Sequence, residues 1–367
     1  MQNNQRPKTT ENQLHTDTST RFLVAAASLI IVIAGLRAAA PLILPFLIAV
    51  FLAVISVPFL NWLLVKKVPK PLAVLSTILP AVGVIAVLAL VVGRSVNEFT
   101  AAAPRYQVRL QELFESVIDF ANRRGLPTTE WATLDLIPSE VFTYVGGALS
   151  AVTSFASNTF LVLLTVIFIL FEVTGFNAKL RVAFGKETNF DQLSRMTEQV
   201  QHYLVIKTAI SAATGLLVGI WVAALGLDFA LLWGLVAFLF NFIPNLGSII
   251  AAVPAVLLAL VQPGLGPGSA VVIAAGYLGI NLIFGTFLEP TLMGRRLGLS
   301  TMVVFVSLVF WGWVWGPIGM LFSVPLTMVI KIALENTKEF RWVAIMLDAN
   351  PSATPASPKS DASRQEN

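Results

Sequence analysis

The chain alternates between long apolar runs and shorter polar stretches, and the run lengths predict its architecture. Runs at about 20–37, 40–62, 71–93, 155–173, 203–225 and 269–288 each approach the ~20 residues that a bilayer-spanning helix needs. They predict six transmembrane helices. Residues 94–154 differ, because they carry most of the mixed charge. In "YQVRLQELFESVIDFANRRG", Leu110, Leu113, Phe114, Val117, Ile118 and Ala121 recur at helical spacing, with Arg109, Glu112, Glu115 and Asp119 largely opposite. This predicts an amphipathic extracytoplasmic helix, either packed on its neighbours or lying at the interface as a gate. A charged cytoplasmic connector completes the 155–202 segment, and the polar ends, 1–20 and 346–367, are expected to be disordered.

Two further runs do not fit single spans. Residues 229–261 and 301–335 would each measure roughly 50 Å as straight helices, against a hydrocarbon core of ~30 Å. Two full spans and a turn would need more residues than either run has. Each breaks near its middle, the first at "NFIPNLG" and the second at "WGWVWGPIG". Half-spanning helical hairpins fit this arithmetic, and a long kinked helix is the alternative. The fold class expected is therefore an all-α polytopic membrane protein with about eight hydrophobic segments, two of them re-entrant or broken hairpins.

Basic residues favour the hairpins. With the N-terminus inside, Lys66, Lys67, Lys70 and the 174–202 connector fall in the cytoplasm, as the positive-inside rule asks. Only if 229–261 returns to the side where it began do Arg295 and Arg296 also lie inside. Lys331, Lys338 and Arg341 follow if 301–335 does the same, which leaves both termini cytoplasmic. The layout then repeats: helix 203–225 plus the first hairpin, and helix 269–288 plus the second, in opposite orientations. "AAVPAVLLAL" and "FSVPLTMVIK" share a Val-Pro at matching positions. Paired interrupted segments of this kind point to a secondary-transporter site, and 203–345 is the expected transport core. Helices 1–3, within 21–93, form the expected scaffold.

Composition sharpens the class by exclusion. Hydrophobic residues make up 56% of the chain and charged residues 12%, with a mean hydropathy of +0.80, so a water-soluble fold is excluded. There is no cysteine, which removes disulfides, thiolate catalysis and cysteine-bound metal. The net charge of +4 suits basic cytoplasmic loops, and no basic stretch is interleaved with aromatics, so no nucleic-acid partner is expected. Residues 22–36 resemble a signal-peptide core followed by small residues at 38–40. The long polar leader and Pro41 instead predict a retained first helix.

Candidate chemistry concentrates at the breaks. Broken helices at bilayer depth free backbone groups that only protein, water or a solute can satisfy. Asn241 and Asn245 add amides there, while Pro244 and Gly247 shape the turn; the bland alternative is that the asparagines cap their own helix ends. Asn281 lies at mid-span beside Tyr277 and Thr286, and is expected to face protein. Glu289, before Pro290, is either a coupling acid or an interfacial carboxylate paired with Arg295 or Arg296. Gly312, Gly316, Pro317 and Gly319 shape the second break, and Trp311, Trp313 and Trp315 are expected to pack around it. His15 and His202 are too far apart to suggest a metal site, and "PGLGPG" lacks the context of a phosphate loop. No catalytic motif, metal site or cofactor is expected.

"LLWGLVAFLFNFIPNLGSIIAAVPAVLLAL" and "FLEPTLMGRRLGLSTMVVFVSLVFWGWVWGPIGMLFSVPL" carry a resemblance to the autoinducer-2 exporter family of PerM-like permeases. It extends over about 20–345 and rests on the Asn/Pro/Gly break, the Glu289-Pro290…Gly294 segment, and the Gly-x-x-Gly and Val-Pro that follow. The resemblance implies a bacterial inner-membrane transporter, assembled as a homo-oligomer with five copies as the suggested number. It also implies export of autoinducer-2 or, in other members, sodium/proton antiport. A passive channel and a non-transporting scaffold are the remaining alternatives. The expected partners are a small-molecule or ion substrate and the lipid bilayer.

Overall fold

A computed structural model describes residues 10–125, 159–184, 190–244, 246–293, 298–335, 337 and 339–349. Every regular element among them is helical: α1 Thr10–Ala38, α2 Ala40–Val65, α3 Lys70–Arg123, α4 Thr159–Phe184, α5 Phe190–Ala224, α6 Ala230–Phe240, α7 Gly247–Val261, α8 Pro267–Asn281, a π-helical turn Leu282–Leu288, α9 Glu289–Met293, α10 Thr301–Glu335 and α11 Arg341–Leu347. Large apolar side chains point outward along these helices, with Leu42 and Phe160 each 77% exposed. Such a continuous apolar exterior suits lipid and not water.

Several boundaries shift from the expected ones. α1 begins at Thr10, inside the leader expected to be disordered. α3 does not stop at 93 but runs on for 54 residues, about 80 Å, through the start of the charged region. Residues 94–103 contain no glycine or proline, so nothing there ends a helix, and Pro104 is accommodated within it. Within this part of α3, Ala121 is buried, Leu110, Leu113, Phe114 and Ile118 are half-buried, and Glu112, Glu115 and Asp119 are exposed. The remainder of that region, 126–154, lies outside the described residues. α4 and α5 extend into the connector from both ends. Ordered structure also passes 346, since Asp348 takes an ion pair from Lys331.

α2, α3 and α4 form one packed unit. Ala49, Ala53 and Ala73 are fully buried at their contacts with Val74, Val166 and Leu170. Small residues permit this close approach, which replaces the hydrophobic driving force that lipid does not supply. α1 lies against α2 and α10, and the Trp315 indole donates to the Leu36 carbonyl at 3.0 Å.

Both apolar runs that were too long for one span double back. In the first, α6 has 11 residues and α7 has 15, each too short for a ~30 Å core. The Gln262 side chain, beyond the end of α7, donates to the Gly226 carbonyl at 2.8 Å and accepts from the Asp228 amide at 2.8 Å, just before α6. The hairpin therefore ends level with its beginning. In the second, α10 is two helical arms joined at Gly316, where the backbone leaves helical geometry; its φ of +66° is accessible chiefly to glycine. Ser307 and Thr327 are in hydrogen-bonding contact across it. Twenty residues along a straight helix would separate them by about 30 Å. Lys331 closes this hairpin's base by donating to the Gly298 carbonyl at 2.6 Å, with Asp348 at 2.9 Å and Glu335 at 3.4 Å as counterions. Lys331 is thus committed inside the fold and does not serve as a free positive-inside charge.

The two helix–hairpin units run antiparallel. Lys207 on α5 meets Glu289 beyond α8, and further along α5 the Trp221 indole lies on Gly276, upstream within α8. A Cβ at Gly276 would come within 1.9 Å of that indole nitrogen. α5 packs against α6 through Gly215, Gly219 and Gly234, where a Cβ on Gly234 would lie 2.7 Å from the Gly215 carbonyl. This is a Gly-x-x-x-Gly contact, backbone on backbone.

Candidate functional site

The site is built on α5, whose sequence "HYLVIKTAISAATG" interrupts an apolar helix with polar residues on one face. Lys207 and Ser211 lie one turn apart, and Thr214 follows one turn further. All three are buried. The Lys207 ammonium contacts both carboxylate oxygens of Glu289, at 2.6 and 2.8 Å, with the lysine side chain 3% exposed and the glutamate 21%. The partner of Glu289 is therefore Lys207, 82 residues away. Arg295 and Arg296, the partners considered from the sequence, lie outside the described residues. A charged pair in a membrane helix is costly and is the default mark of function.

The π-helical turn explains why Glu289 reaches α5. Ile273 and Tyr277 mark the buried face of α8. At 100° per residue, an uninterrupted α-helix would place Glu289 about 120° from Tyr277. One residue of extra π winding reduces this to about 20°. The Glu289 amide bonds to the Phe284 carbonyl, five residues back, as π geometry requires. Downstream, Met293 is buried; it lies about 60° from Tyr277 with the extra residue of winding and about 160° without it.

The first break reaches the same face. Asn241 follows α6, is buried, and donates from Nδ2 to Ser211 Oγ at 2.9 Å. Its amide therefore crosses to another helix and does not cap its own. Pro244 is half-buried within the turn. Gly247 begins α7 where a Cβ would lie 1.8 Å from the Phe240 carbonyl, so only glycine fits this crossing. Asn245 lies outside the described residues. Asn281 ends α8 half-buried, its side-chain oxygen 3.0 Å from the position a Cβ on Gly285 would take. Thr286 faces outward. Thr214 and Tyr277 each have a buried hydroxyl with no hydrogen-bond partner among the described residues.

The second break is arranged differently. Ser307 Oγ donates to the Ser323 carbonyl at 2.9 Å and contacts Thr327, to whose hydroxyl the Trp311 indole donates at 3.3 Å. Trp311 and Trp315 pack on each other at 4.9 Å, and Trp313 is exposed. Gly316 and exposed Pro317 form the bend. Cβ atoms on Gly312 and Gly319 would meet Met320 at 2.8 Å and the Trp311 carbonyl at 2.0 Å. These glycines allow the two arms to close, and none of them joins the ion pair. Phe51 on α2 lies edge-on to Phe242 at 5.7 Å and to Phe322 at 5.1 Å, so one aromatic ring contacts both hairpins.

Sequence reasoning overlooked Lys207, Ser211 and Thr214. The available signal was a lysine inside an apolar run with polar residues at helical spacing. Among the described residues, no three His, Cys, Asp or Glu side chains are grouped to hold a metal.

Stacked apolar helices, two glycine-shaped hairpins and a buried ion pair between antiparallel units define a polytopic α-helical membrane transport protein. Comparison with known sequences gives the particular kind. The model described as "AI-2E family transporter" matches residues 26–339, and the chain belongs to that family. It is 40% identical over 331 residues to the AI-2 transport protein TqsA of Escherichia coli K12, covering 89% of this chain and 95% of that one. It is 37% identical over 336 residues to the candidate transport protein YhhT of the same strain, covering 90% and 95%. A candidate transport protein of Haemophilus influenzae Rd is 37% identical over 336 residues, covering 89% and 96%.

Proposed function

We infer that this permease is a secondary transporter that exports a small polar solute across the bacterial inner membrane. Autoinducer-2 is the first solute to test, because the TqsA relative is named for its transport. The observation that carries the reading is the Lys207–Glu289 pair, buried where α5 meets the π-turned end of α8 and one helical turn from the Ser211–Asn241 bond. It brings an ionisable pair, a broken helix and a hairpin turn to one place, as solute and coupling sites in such transporters require.

In this reading α5–α10 move against the α2–α4 scaffold, exposing the site to each side in turn. Asn241, Asn245 and Asn281 supply hydrogen bonds to the solute, and Glu289 couples its passage to a proton or cation. Both termini lie in the cytoplasm, and the scaffold surface provides the contacts of a homo-oligomer. The test is purified protein in proteoliposomes loaded with autoinducer-2 under defined proton and sodium gradients. Accumulation against the solute gradient, collapsed by an uncoupler and absent in Glu289→Gln, is expected. Flux that only equilibrates would identify a passive channel. Sodium-driven proton movement without autoinducer-2 flux would identify an antiporter.

A further inference from the structure

We propose that Lys207 is an anion-binding group, that Glu289 is an internal counterion displaced by the solute's negative charge, and that the solute is a small hydroxylated anion. The proposal deepens the transport reading and rests on it for the use of the site. Its chemistry rests on how differently the two partners are held.

Lys207 lies on the rigid side. It is 3% exposed, on a helix locked against α6 by the Gly215, Gly219 and Gly234 contacts and against the first hairpin by Ser211–Asn241. Glu289 lies on the soft side, at the start of a five-residue helix that succeeds seven π-helical residues. π-helical hydrogen bonding is the rarer geometry, and its return to α-helix shifts the downstream chain by one residue. That change would swing Glu289 by about 100°, away from α5. Lys207 would then be a buried ammonium, and both of its side-chain hydrogen bonds among the described residues go to the departed carboxylate. A buried charge needs a counterion, so the vacated position selects an anion. A carboxylate or an equivalent oxyanion matches the geometry that Glu289 already shows.

The rest of the corridor indicates the remainder of the solute. Two contacts, Lys207–Glu289 and Trp221–Gly276, fix the levels of α5 and α8 against each other. Between those levels lie Ser211 and Thr214 on one helix and Asn281 and Tyr277 on the other. The Thr214 and Tyr277 hydroxyls are buried without partners among the described residues. Buried hydroxyls are usually satisfied, and hydroxyls on a solute are the groups that would satisfy these.

The test is calorimetric titration of the full chain in detergent at constant ionic strength. Sodium L-lactate serves as the hydroxylated anion and glycerol as its uncharged counterpart. Glu289→Gln frees Lys207, and lactate should bind about tenfold tighter than to the unaltered protein, with glycerol unchanged. Glu289→Gln combined with Lys207→Gln should bring lactate down to the level of glycerol. Equal lactate affinity in all three proteins overturns the proposal. If Glu289→Gln does not fold, the ion pair is left intact and Leu288→Cys gives the chain a single thiol beside Glu289. Lactate, but not glycerol, should then speed its labelling, and an unchanged rate overturns the proposal. Repeating the titration in nanodiscs with and without phosphatidylglycerol separates solute from lipid: lactate binding abolished by the anionic lipid would assign Lys207 to a headgroup and overturn the solute. Anion binding without autoinducer-2 or lactate flux leaves the site standing and removes the transport reading. Autoinducer-2 flux without anion binding does the reverse.

Discussion

The two hairpins share a construction and differ in where their polar groups go. Each is closed at its base by a side chain beyond its second proline, Gln262 in one and Lys331 in the other. Each has, beside its turn, a glycine whose Cβ would strike backbone, Gly247 in one and Gly319 in the other. In the second hairpin the buried Ser307, Thr327 and Trp311 groups satisfy one another. In the first, Asn241 reaches out to Ser211, one turn from Lys207. The second hairpin's polar cluster stays paired when the hairpin moves together with α1, to which its Trp315 indole is bonded. The first hairpin is tied to α5 by the Asn241–Ser211 bond, one turn from Lys207, so it cannot separate from α5 without breaking that bond. In the proposed reading the first hairpin senses the solute and the second braces it.

The strongest way to break this comparison is at the ion pair. Lys207→Met leaves the half-buried Glu289 carboxylate without its counterion and should cost about 1–3 kcal/mol, read as a fall in thermal stability in detergent. Lys207→Met with Glu289→Met should recover most of that stability, since a packed apolar pair often replaces a buried ion pair at little cost. Transport should remain lost. A stable double variant that still transports would make the pair structural and remove the distinction between the hairpins.

The tips come next. Gly247→Ala and Gly319→Ala each place a Cβ into a backbone carbonyl, and each should destabilise by about 1–3 kcal/mol or more. Similar losses in the two would show that the tips are mechanically equivalent and that only the polar groups separate the hairpins. An effect confined to one tip would locate the difference in the backbone turn.

The arithmetic of run lengths made the hairpins legible, because 33 to 35 residues fit neither one span nor two, and glycine and proline marked the bends. Glu289 was legible because an acid stands alone at the end of an apolar run, directly before Pro290. Lys207 was not, because it sits close enough to the start of an apolar run to pass for an interfacial residue with its charge in headgroups. Its burial depends on a partner 82 residues away. The π-turn was invisible for a similar reason: "LIFGTFL" is ordinary helical sequence, and the extra winding shows only in which residues downstream are buried. The length of α3 was missed because its composition changes at Arg94, and a change of solvent resembles a change of element when only polarity is read.

A smaller effect should separate Ser307 from Asn241. Ser307→Ala removes hydrogen bonds inside the second hairpin and should cost about 0.5–1.5 kcal/mol with solute affinity unchanged. Asn241→Leu keeps similar volume, costs a comparable amount, and should weaken solute binding roughly tenfold. Binding titrations alongside thermal unfolding give both readouts. A loss of affinity in Ser307→Ala would place the second hairpin in the site as well.

The smallest expected effect carries an unusual sign. Thr214 and Tyr277 each bury a hydroxyl that bonds to nothing among the described residues. Such a group has lost its water and gained no replacement, so the folded protein is the poorer for it. Thr214→Val and Tyr277→Phe remove the hydroxyl while nearly keeping shape, and each should leave stability unchanged or raise it by up to about 1 kcal/mol. If the hydroxyls serve only packing, transport should track stability and stay intact. If they wait for the solute, affinity should fall while the melting temperature holds or rises, because the group that burdens the empty protein is the one the solute satisfies. Thermal unfolding and solute titration on the same two variants decide this. A drop in both would mean that each hydroxyl already has a partner and is part of the fold.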